Sequence, residues 1–142
     1  MSRAVIREVR ESNPAVARAL ERLVPQLSRS AGPPDLDAVL ADGAVRLLVA
    51  EDDSGAIVGT LTLVVLHTPT GVHAQIEDVV VDAAARGGGH GRALTLEAIR
   101  LAKEAGARHV DLTSRPSREA ANELYRSLGF VERETNAYRY GL

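Results

Sequence analysis

The first third of the chain shows two hydrophobic periods in succession. Residues 5–9 alternate apolar and charged side chains, which is the two-residue period of a half-exposed strand. Asn13-Pro14 is a typical helix start, with asparagine as N-cap and proline at the first helical position. The apolar residues that follow at helical spacing are Val16, Leu20, Leu23, Val24 and Leu27. Residues 32–34 then break the helix, and Asp35 can cap a short second helix that runs to Leu40.

The middle of the chain carries the long apolar runs of a sheet. Residues 45–50 and 57–66 are rich in β-branched residues and flank a polar loop, which predicts a hairpin. A second turn at residues 69–71 leads into a fourth strand, along which alternate side chains should share a face. One face is expected to hold His73, Gln75, Glu77, Val79 and Val81, and the other Val72, Ala74, Ile76, Asp78 and Val80.

Two further helices and three short strands complete the prediction. Gly106 and Gly129 are expected to end the helices, and Ser117 to be the N-cap of the second one. The predicted elements are helices at 92–105 and 117–128 and strands at 109–112, 130–131 and 138–140. Together with the four earlier strands, they predict an α/β (α+β) fold with about seven strands.

Composition narrows the class of protein. The 142 residues suit one domain over residues 1–142, and 45% apolar with 25% charged residues is typical of a folded globular protein. A net charge of -2 and a pI near 6.1 argue against nucleic-acid or membrane partners. The absence of cysteine excludes disulfides, and four histidines without HxH or HxxxH spacing argue against a metal site. No signal-like segment or bilayer-length apolar run is present, so the cytoplasm is the expected location.

The most informative segment is a strand that leads through a glycine cluster into a helix, residues 79–94, VVVDAAARGGGHGRAL. The first-turn amides of a helix have no internal partner and carry the positive end of the helix dipole, so they bind phosphate oxygens. Glycines allow close approach, and Arg86 and Arg92 can add charge-assisted contacts to a diphosphate. The segment therefore predicts a diphosphate-binding turn.

Two other phosphate-binding motifs match this turn less well. A nucleoside-triphosphate P-loop needs Lys followed by Ser or Thr after its last glycine, whereas Gly91 is followed by Arg92-Ala93. The turn matches the dinucleotide-binding GxGxxG motif only in degenerate form. That motif is followed by an acidic residue about 20 positions on, and Asp111 lies at about this distance. The segment before the turn looks like a β-meander. The dinucleotide interpretation stays open as the weaker alternative.

The turn resembles the pyrophosphate loop of the GNAT acetyltransferase superfamily, Arg/Gln-x-x-Gly-x-Gly/Ala, which residues 86–91, RGGGHG, match at every position. Residues 76–81 are similar to that family's fourth strand, and residues 121–130, ANELYRSLGF, to its helix that ends in Leu-Gly-Phe. The resemblance implies a three-layer fold, with a mixed, mostly antiparallel sheet between helices, and an N-acetyltransferase that uses acetyl-CoA without a metal. Gly88 and His90 depart from the family, which often has a basic and an aliphatic residue there.

The resemblance also implies roles for individual residues. Tyr125 matches the tyrosine that protonates the departing thiolate, and a phenol with a pKa of about 10 carries its proton at neutral pH. Glu77 is the candidate base for the acceptor amine, although some family members carry the base two residues earlier, at the position of Gln75. The expected coenzyme contacts are Val79, Val80, Val81, Arg86, Gly87, Gly88, Gly89, His90, Gly91, Arg92, Asn122 and Tyr125.

Each of these residues also has a plain structural interpretation. Tyr125 can pack between helix and sheet, Asn122 can be solvated, and Glu77 can satisfy backbone or arginine groups. His67 and His73 flank the turn near the expected acceptor mouth, where a lone histidine is more often solvated.

The expected reaction is direct attack of an amine on the thioester, with a backbone N–H from residues 79–81 holding the oxyanion and no acyl-enzyme. The sequence does not identify the acceptor, which can be an amine of a small molecule or of a peptide. Residues 25–42 and 132–142 are expected to shape its pocket. The C-terminal strand edge is a candidate contact for a homodimer. The alternatives are an acetyl-CoA-binding module without catalysis and a structural domain whose glycine turn holds nothing.

Overall fold

A computed structural model describes residues 4–142, and every helix and strand predicted before residue 129 is present, with ends that differ by at most two residues. The described residues fall into two compact units that divide after Leu112. The first unit contains β1 Val5–Val9, α1 Pro14–Leu27, α2 Leu36–Ala41, β2 Val45–Glu51, β3 Ile57–Thr68, β4 Gly71–Val81, α3 His90–Glu104 and β5 Val110–Asp111. The second unit contains α4 Glu119–Ser127. The single domain over residues 1–142 stays a prediction.

The helices of the first unit begin at two kinds of cap. The Asn13 side chain accepts a hydrogen bond from the amide of Ala15 at 2.8 Å, and Asp35 accepts one from Ala38 at 3.0 Å, so both predicted N-caps are confirmed. These oxygens satisfy amides that have no partner inside the helix. Helix α3 is different because its N-cap is Gly89, which has no side chain to offer.

The five strands of the described chain form one sheet in the order β1-β2-β3-β4-β5. The first four are antiparallel to their neighbours, and β5 lies parallel to β4. The mixed, mostly antiparallel sheet is confirmed, with five strands instead of about seven. The dinucleotide interpretation is wrong, because it requires the glycine turn to follow the first strand of a repeated βαβ pattern. Here β4, α3 and β5 form a single parallel βαβ unit, and the turn follows the last strand of an antiparallel meander.

Helices cover both faces of the sheet, which confirms the three-layer arrangement. On one face, α1 and α2 close over a core made of Val9, Val16, Ala19, Leu20, Leu23, Leu36, Leu47, Val49, Ile57 and Val80. On the other face, α3 approaches β3 closely at Gly59, where a Cβ would lie 3.3 Å from the Cδ1 atom of Leu94. Because Gly59 has no side chain, the N-terminal part of α3 can pack closely against β3.

Strand β4 contains a bulge at Asp78. Thr60 of β3 pairs with Val80 and Thr62 pairs with Glu77, so two residues of β4 oppose one residue of β3. Asp78 has a φ of 50°, in the left-handed region that non-glycine residues rarely adopt. The bulge inserts one residue into the alternation of β4.

The predicted faces of β4 are wrong beyond this bulge. Residues paired directly across two strands share a face of the sheet. Glu77, opposite Thr62, lies on the same face as Val80 and the α1 core, whereas Val81, opposite Gly59, lies on the α3 face. Simple alternation had placed Glu77 with Val81, and it fails because period-two counting cannot register an inserted residue.

Helix α4 of the second unit begins later than predicted. Ser117 is not its N-cap, because the helix starts at Glu119 after Arg118, without a side-chain cap bond. The end is as expected. Gly129 has a φ of 100°, and its amide donates to the carbonyl of Arg126 at 3.1 Å.

Residues 129–142 are in no helix or strand, so the two strands predicted at 130–131 and 138–140 are wrong. Tyr138 and Tyr140 are 90% and 89% exposed. Their aromatic character favours strands, but a strand forms only where another strand pairs with it, and local composition does not encode that partner. The proposed homodimer stays a prediction, without the C-terminal strand edge on which it was based.

Candidate active site

The turn between β4 and α3 follows a defined path. The carboxylate of Asp82 accepts a hydrogen bond from the Ala84 amide at 3.1 Å, which begins a single 3₁₀ turn at Ala83–Ala85. The chain then passes through Gly87 and Gly89, with φ of 88° and 81°. Other residues rarely adopt such angles, so the path of the turn depends on both glycines. Because α3 has no side-chain cap, its first-turn amides are left for another acceptor.

The space around these two glycines is open. A Cβ on Gly87 or Gly89 would meet no atom within 4 Å. Free amides at a helix N-terminus beside open space provide the geometry that a phosphate oxygen requires. The turn therefore fits a diphosphate, as its sequence predicts.

Gly88 is constrained from the inside of the turn. A Cβ there would lie 3.0 Å from Nε2 and 3.1 Å from Cδ2 of His90. The His90 side chain is only 4% exposed, and its Nδ1 atom has no hydrogen-bond partner among the described residues. The imidazole of His90 thus packs beneath the turn, so any contact of this residue with a coenzyme involves its backbone.

Two exposed arginines flank the turn. Arg86 donates a long hydrogen bond of 3.4 Å from Nε to the carbonyl of Val81, and Arg92 forms no ion pair within residues 4–142. Both guanidinium groups can therefore be recruited by a negatively charged ligand.

Strand β4 loses its partner on one side just before this turn. It pairs with β5 only through Ala74↔Val110 and Gln75↔Asp111, while its pairing with β3 continues as far as Val81. The stretch 76–81 thus has no ladder on the β5 side within the described chain. An extended ligand with amide groups, such as a pantetheine arm, can pair with backbone at an edge of this kind.

Polar side chains cluster on the β4–β5 part of the sheet. The exposed carboxylate of Glu77 accepts a hydrogen bond from the side-chain Nε2 of Gln75 at 2.8 Å. Nε2 of His73 lies 2.6 Å from the hydroxyl of Thr68, and the His73 ring meets the ring of His109 edge-on at 5.1 Å. Nε2 of His109 in turn lies 3.5 Å from a carboxylate oxygen of Asp111. The site thus brings Glu77 and His73 onto one polar surface, and His67 is exposed.

The second unit holds the other two predicted residues on one helix. Tyr125 is half-buried and packs edge-on against Phe130, with ring centroids 5.7 Å apart. Burial raises the pKa of Tyr125 above its ordinary value, and the charge of Arg118 opposes this shift to a smaller extent. Asn122 donates from Nδ2 to the carbonyls of Arg115 and Arg118 at 2.9 and 2.8 Å. Its amide nitrogen is therefore used inside the unit, and its amide oxygen is the atom it can offer to a ligand.

Two contributors to this site were missed in the sequence. Asp78 forms the bulge, and no local signal separates it from an ordinary strand residue. Asp82 caps the turn. This role could have been predicted from the sequence, because an Asp side chain commonly starts a turn by accepting a hydrogen bond from the backbone amide two residues later.

The family model described as "Acetyltransferase (GNAT) family" matches residues 8–130. This range includes the β4 bulge, the glycine turn and α4. The chain belongs to the GNAT acetyltransferase family. Members of this family use acetyl-CoA, which agrees with a turn that fits a diphosphate.

Two curated relatives match parts of this GNAT chain. The mycothiol acetyltransferase of Amycolatopsis mediterranei (strain U-32) is 44% identical over 67 residues, which are 47% of this chain and 22% of that protein. The probable glucosamine 6-phosphate N-acetyltransferase 2 of Oryza sativa subsp. japonica is 46% identical over 59 residues, 42% of this chain and 34% of that protein. The matched part is therefore a minor share of each relative's length.

A solved structure is similar over nearly its whole length. The putative acetyltransferase from Agrobacterium tumefaciens str. C58 superimposes with a TM-score of 0.83 at 28% identity, covering 96% of this chain and 99% of that chain.

The residues described here contain no group of three or more histidine or acidic side chains that could hold a metal ion. They also contain no helix with the length and apolar character needed to cross a bilayer.

Proposed function

We propose that this chain transfers the acetyl group of acetyl-CoA to a primary amine by direct attack. The observation that carries the proposal is the open, uncapped glycine turn at the start of α3, directly after the stretch of β4 that lacks a β5 partner. A diphosphate on the turn and an amide-containing arm along β4 would place a thioester beside residues 77–81. This combination supports coenzyme A better than a simple phosphate ligand.

The coenzyme contacts proposed from this geometry are of three kinds. Backbone amides of residues 87–91 bind the diphosphate, Arg86 and Arg92 neutralise its charge, and the backbone of Val79–Val81 pairs with the arm and holds the oxyanion. Gly87 and Gly89 support these contacts by leaving space for the ligand. The amide oxygen of Asn122 is a further proposed contact.

The acceptor is proposed to be a small, polar amine. The β4–β5 surface presents Glu77, Gln75, His73 and Asp111, which suit ammonium and hydroxyl groups better than an apolar ring. The two relatives are named for mycothiol and glucosamine 6-phosphate, which supports a compound of this polarity. A peptide amine is the less favoured acceptor, since the four side chains named above are all polar.

The reaction consists of one displacement and three proton movements. Glu77, directly or through water, accepts a proton from the acceptor ammonium, and the freed nitrogen lone pair forms a bond to the thioester carbon. The carbon–sulfur bond breaks, the electron pair leaves on sulfur, and Tyr125 donates its phenolic proton to the thiolate. The newly bonded nitrogen loses its second proton, through water, to the Tyr125 phenolate, which restores the phenol. The products are an N-acetyl amine and free coenzyme A, and no covalent enzyme intermediate is needed.

The proposal predicts that the protein releases free thiol from acetyl-CoA only when an acceptor amine is present. A panel that includes amino sugars, polyamines, amino acids and arylalkylamines would be assayed for thiol release, with mass spectrometry of the acetylated product. We expect amino sugars to give the highest kcat/KM. Calorimetric binding of acetyl-CoA without turnover on any amine would favour a non-catalytic module, and absence of binding would rule out both.

Replacing Glu77 with glutamine should lower kcat by about 100-fold, because a positioned base contributes on the order of 100- to 10,000-fold. Replacing the exposed Glu11 by glutamine in parallel serves as the control for loss of one negative charge. If kcat stays as in the wild type, water alone deprotonates the amine and Glu77 has no catalytic part.

A further inference from the structure

Helix α1 is connected to the glycine turn by two side chains. Arg22 donates from Nη2 to the carbonyl of Ile57 at 2.5 Å and from Nε to the carboxylate of Asp82 at 3.4 Å. One helical turn later, the side-chain oxygen of Gln26 accepts a hydrogen bond from the amide of Ala83 at 3.0 Å. Residues four apart lie on the same side of a helix, so both side chains reach the same target.

Asp82 is the centre of these contacts. Its amide donates to the carbonyl of Val58 at 2.7 Å, its carboxylate accepts from Ala84, and its carbonyl accepts from Ala85 at 2.8 Å. The Ala84 amide, together with the side chains of Arg22 and Gln26, lowers the pKa of Asp82 below its ordinary value. The carboxylate is therefore charged at neutral pH and able to hold both Arg22 and the turn.

The chain between this anchor and the proposed diphosphate site is short. The 3₁₀ turn at Ala83–Ala85 follows Asp82 directly, and Arg86 and Gly87 come next. A movement of the turn would therefore displace the amides of residues 87–91, which a diphosphate requires at fixed positions.

We infer that Arg22, Gln26 and Asp82 are positioning residues for the glycine turn, through which α1 sets the affinity for the coenzyme. The inference rests on the proposed function, because it assumes that the turn binds acetyl-CoA. None of the three is a catalytic residue, since each acts through the backbone of the turn.

Helix α1 is held in place by more than these contacts. Helix α1 is anchored by its buried apolar residues, with Val16 1% exposed and Leu23 fully buried, whereas the Arg22 side chain is 50% exposed. Removal of the Arg22 guanidinium should therefore leave α1 in place and release only the turn.

The test compares Arg22→Gln with Arg18→Gln, a change of the same kind at another exposed arginine one turn earlier in α1. Arg22→Gln should raise the KM for acetyl-CoA and the calorimetric Kd of coenzyme A about tenfold, as expected for loss of a charged hydrogen bond that preorganises a site. The value of kcat at saturating acetyl-CoA should change less than about twofold, since the reacting groups are intact. Arg18→Gln should behave as the wild type.

A second pair of variants separates positioning from general loss of structure. Arg22→Lys keeps the charge and should restore part of the coenzyme affinity, and Gln26→Leu should weaken binding without changing the net charge. A fall in kcat together with a lower thermal midpoint in Arg22→Gln, or an unchanged KM for acetyl-CoA, would overturn the inference. Failure of the wild type itself to bind coenzyme A would instead overturn the proposed function, so the two failures are distinct.

Discussion

Replacing Gly89 with valine should weaken acetyl-CoA binding by about 100-fold, because a β-branched residue at positive φ costs on the order of 1–3 kcal/mol and shifts the backbone. Gly89 has a φ of 81° and is the N-cap of α3. A shift there reorients the first-turn amides that would hold the diphosphate. The added side chain would also occupy the open space beside the turn, where no protein atom lies within 4 Å. Isothermal titration calorimetry with acetyl-CoA measures the effect.

The matched control is Gly106→Val at the other end of the same helix. Gly106 also has a φ of 81°, and a Cβ there would also meet nothing within 4 Å. Both variants should lose similar thermal stability, but only Gly89→Val should lose coenzyme affinity. Equal affinities in the two variants would show that the turn does not bind the diphosphate.

The start of helix α1 shows which parts of this fold can be predicted from the sequence. Asn13-Pro14 specifies a cap and a first helical residue through local chemistry alone, and the structure has the hydrogen bond from Ala15 to Asn13. The same holds for the glycine turn, where Gly87 and Gly89 mark positions that need positive φ. Features fixed within a few residues of the chain can be predicted because their causes are local.

The bulge at Asp78 and the C-terminal segment show the limit of that approach. A bulge changes faces by one inserted residue, and its position depends on the register with β3. Strands at 130–131 and 138–140 were expected from composition, but a strand needs a partner that composition does not name. Both errors come from interactions across the sheet.

The contacts that anchor the glycine turn were not predicted for the same reason. Arg22 and Asp82 are 60 residues apart in the chain, and nothing in either local sequence pairs them. The sequence therefore predicts which residues face the coenzyme, but it does not predict which residues hold the turn in place. Preorganisation of a turn depends on the second group as much as on the first.

Replacing Tyr125 with phenylalanine should lower kcat by about 100-fold, while the KM for acetyl-CoA and the Kd of coenzyme A change little. The phenol is the proposed acid for the leaving thiolate, and phenylalanine keeps the ring that packs edge-on against Phe130. Loss of a proton donor that acts only as the carbon–sulfur bond breaks should affect the rate and not the binding. Steady-state kinetics at saturating amine and acetyl-CoA measure the change.

The pH dependence gives an independent readout. Burial raises the pKa of Tyr125, so the protonated, active form persists through neutral pH and is lost only as the pH rises past the ordinary phenol range. The wild type should therefore keep full kcat into the alkaline range and fall above it, whereas Tyr125→Phe should show a low kcat with no such alkaline fall. Tyr140→Phe, at a tyrosine that is 89% exposed in the same unit, should match the wild type in both respects. A Tyr125→Phe enzyme with the wild-type kcat and the same alkaline limb would assign the proton to water, because no phenol would then be needed at the thiolate.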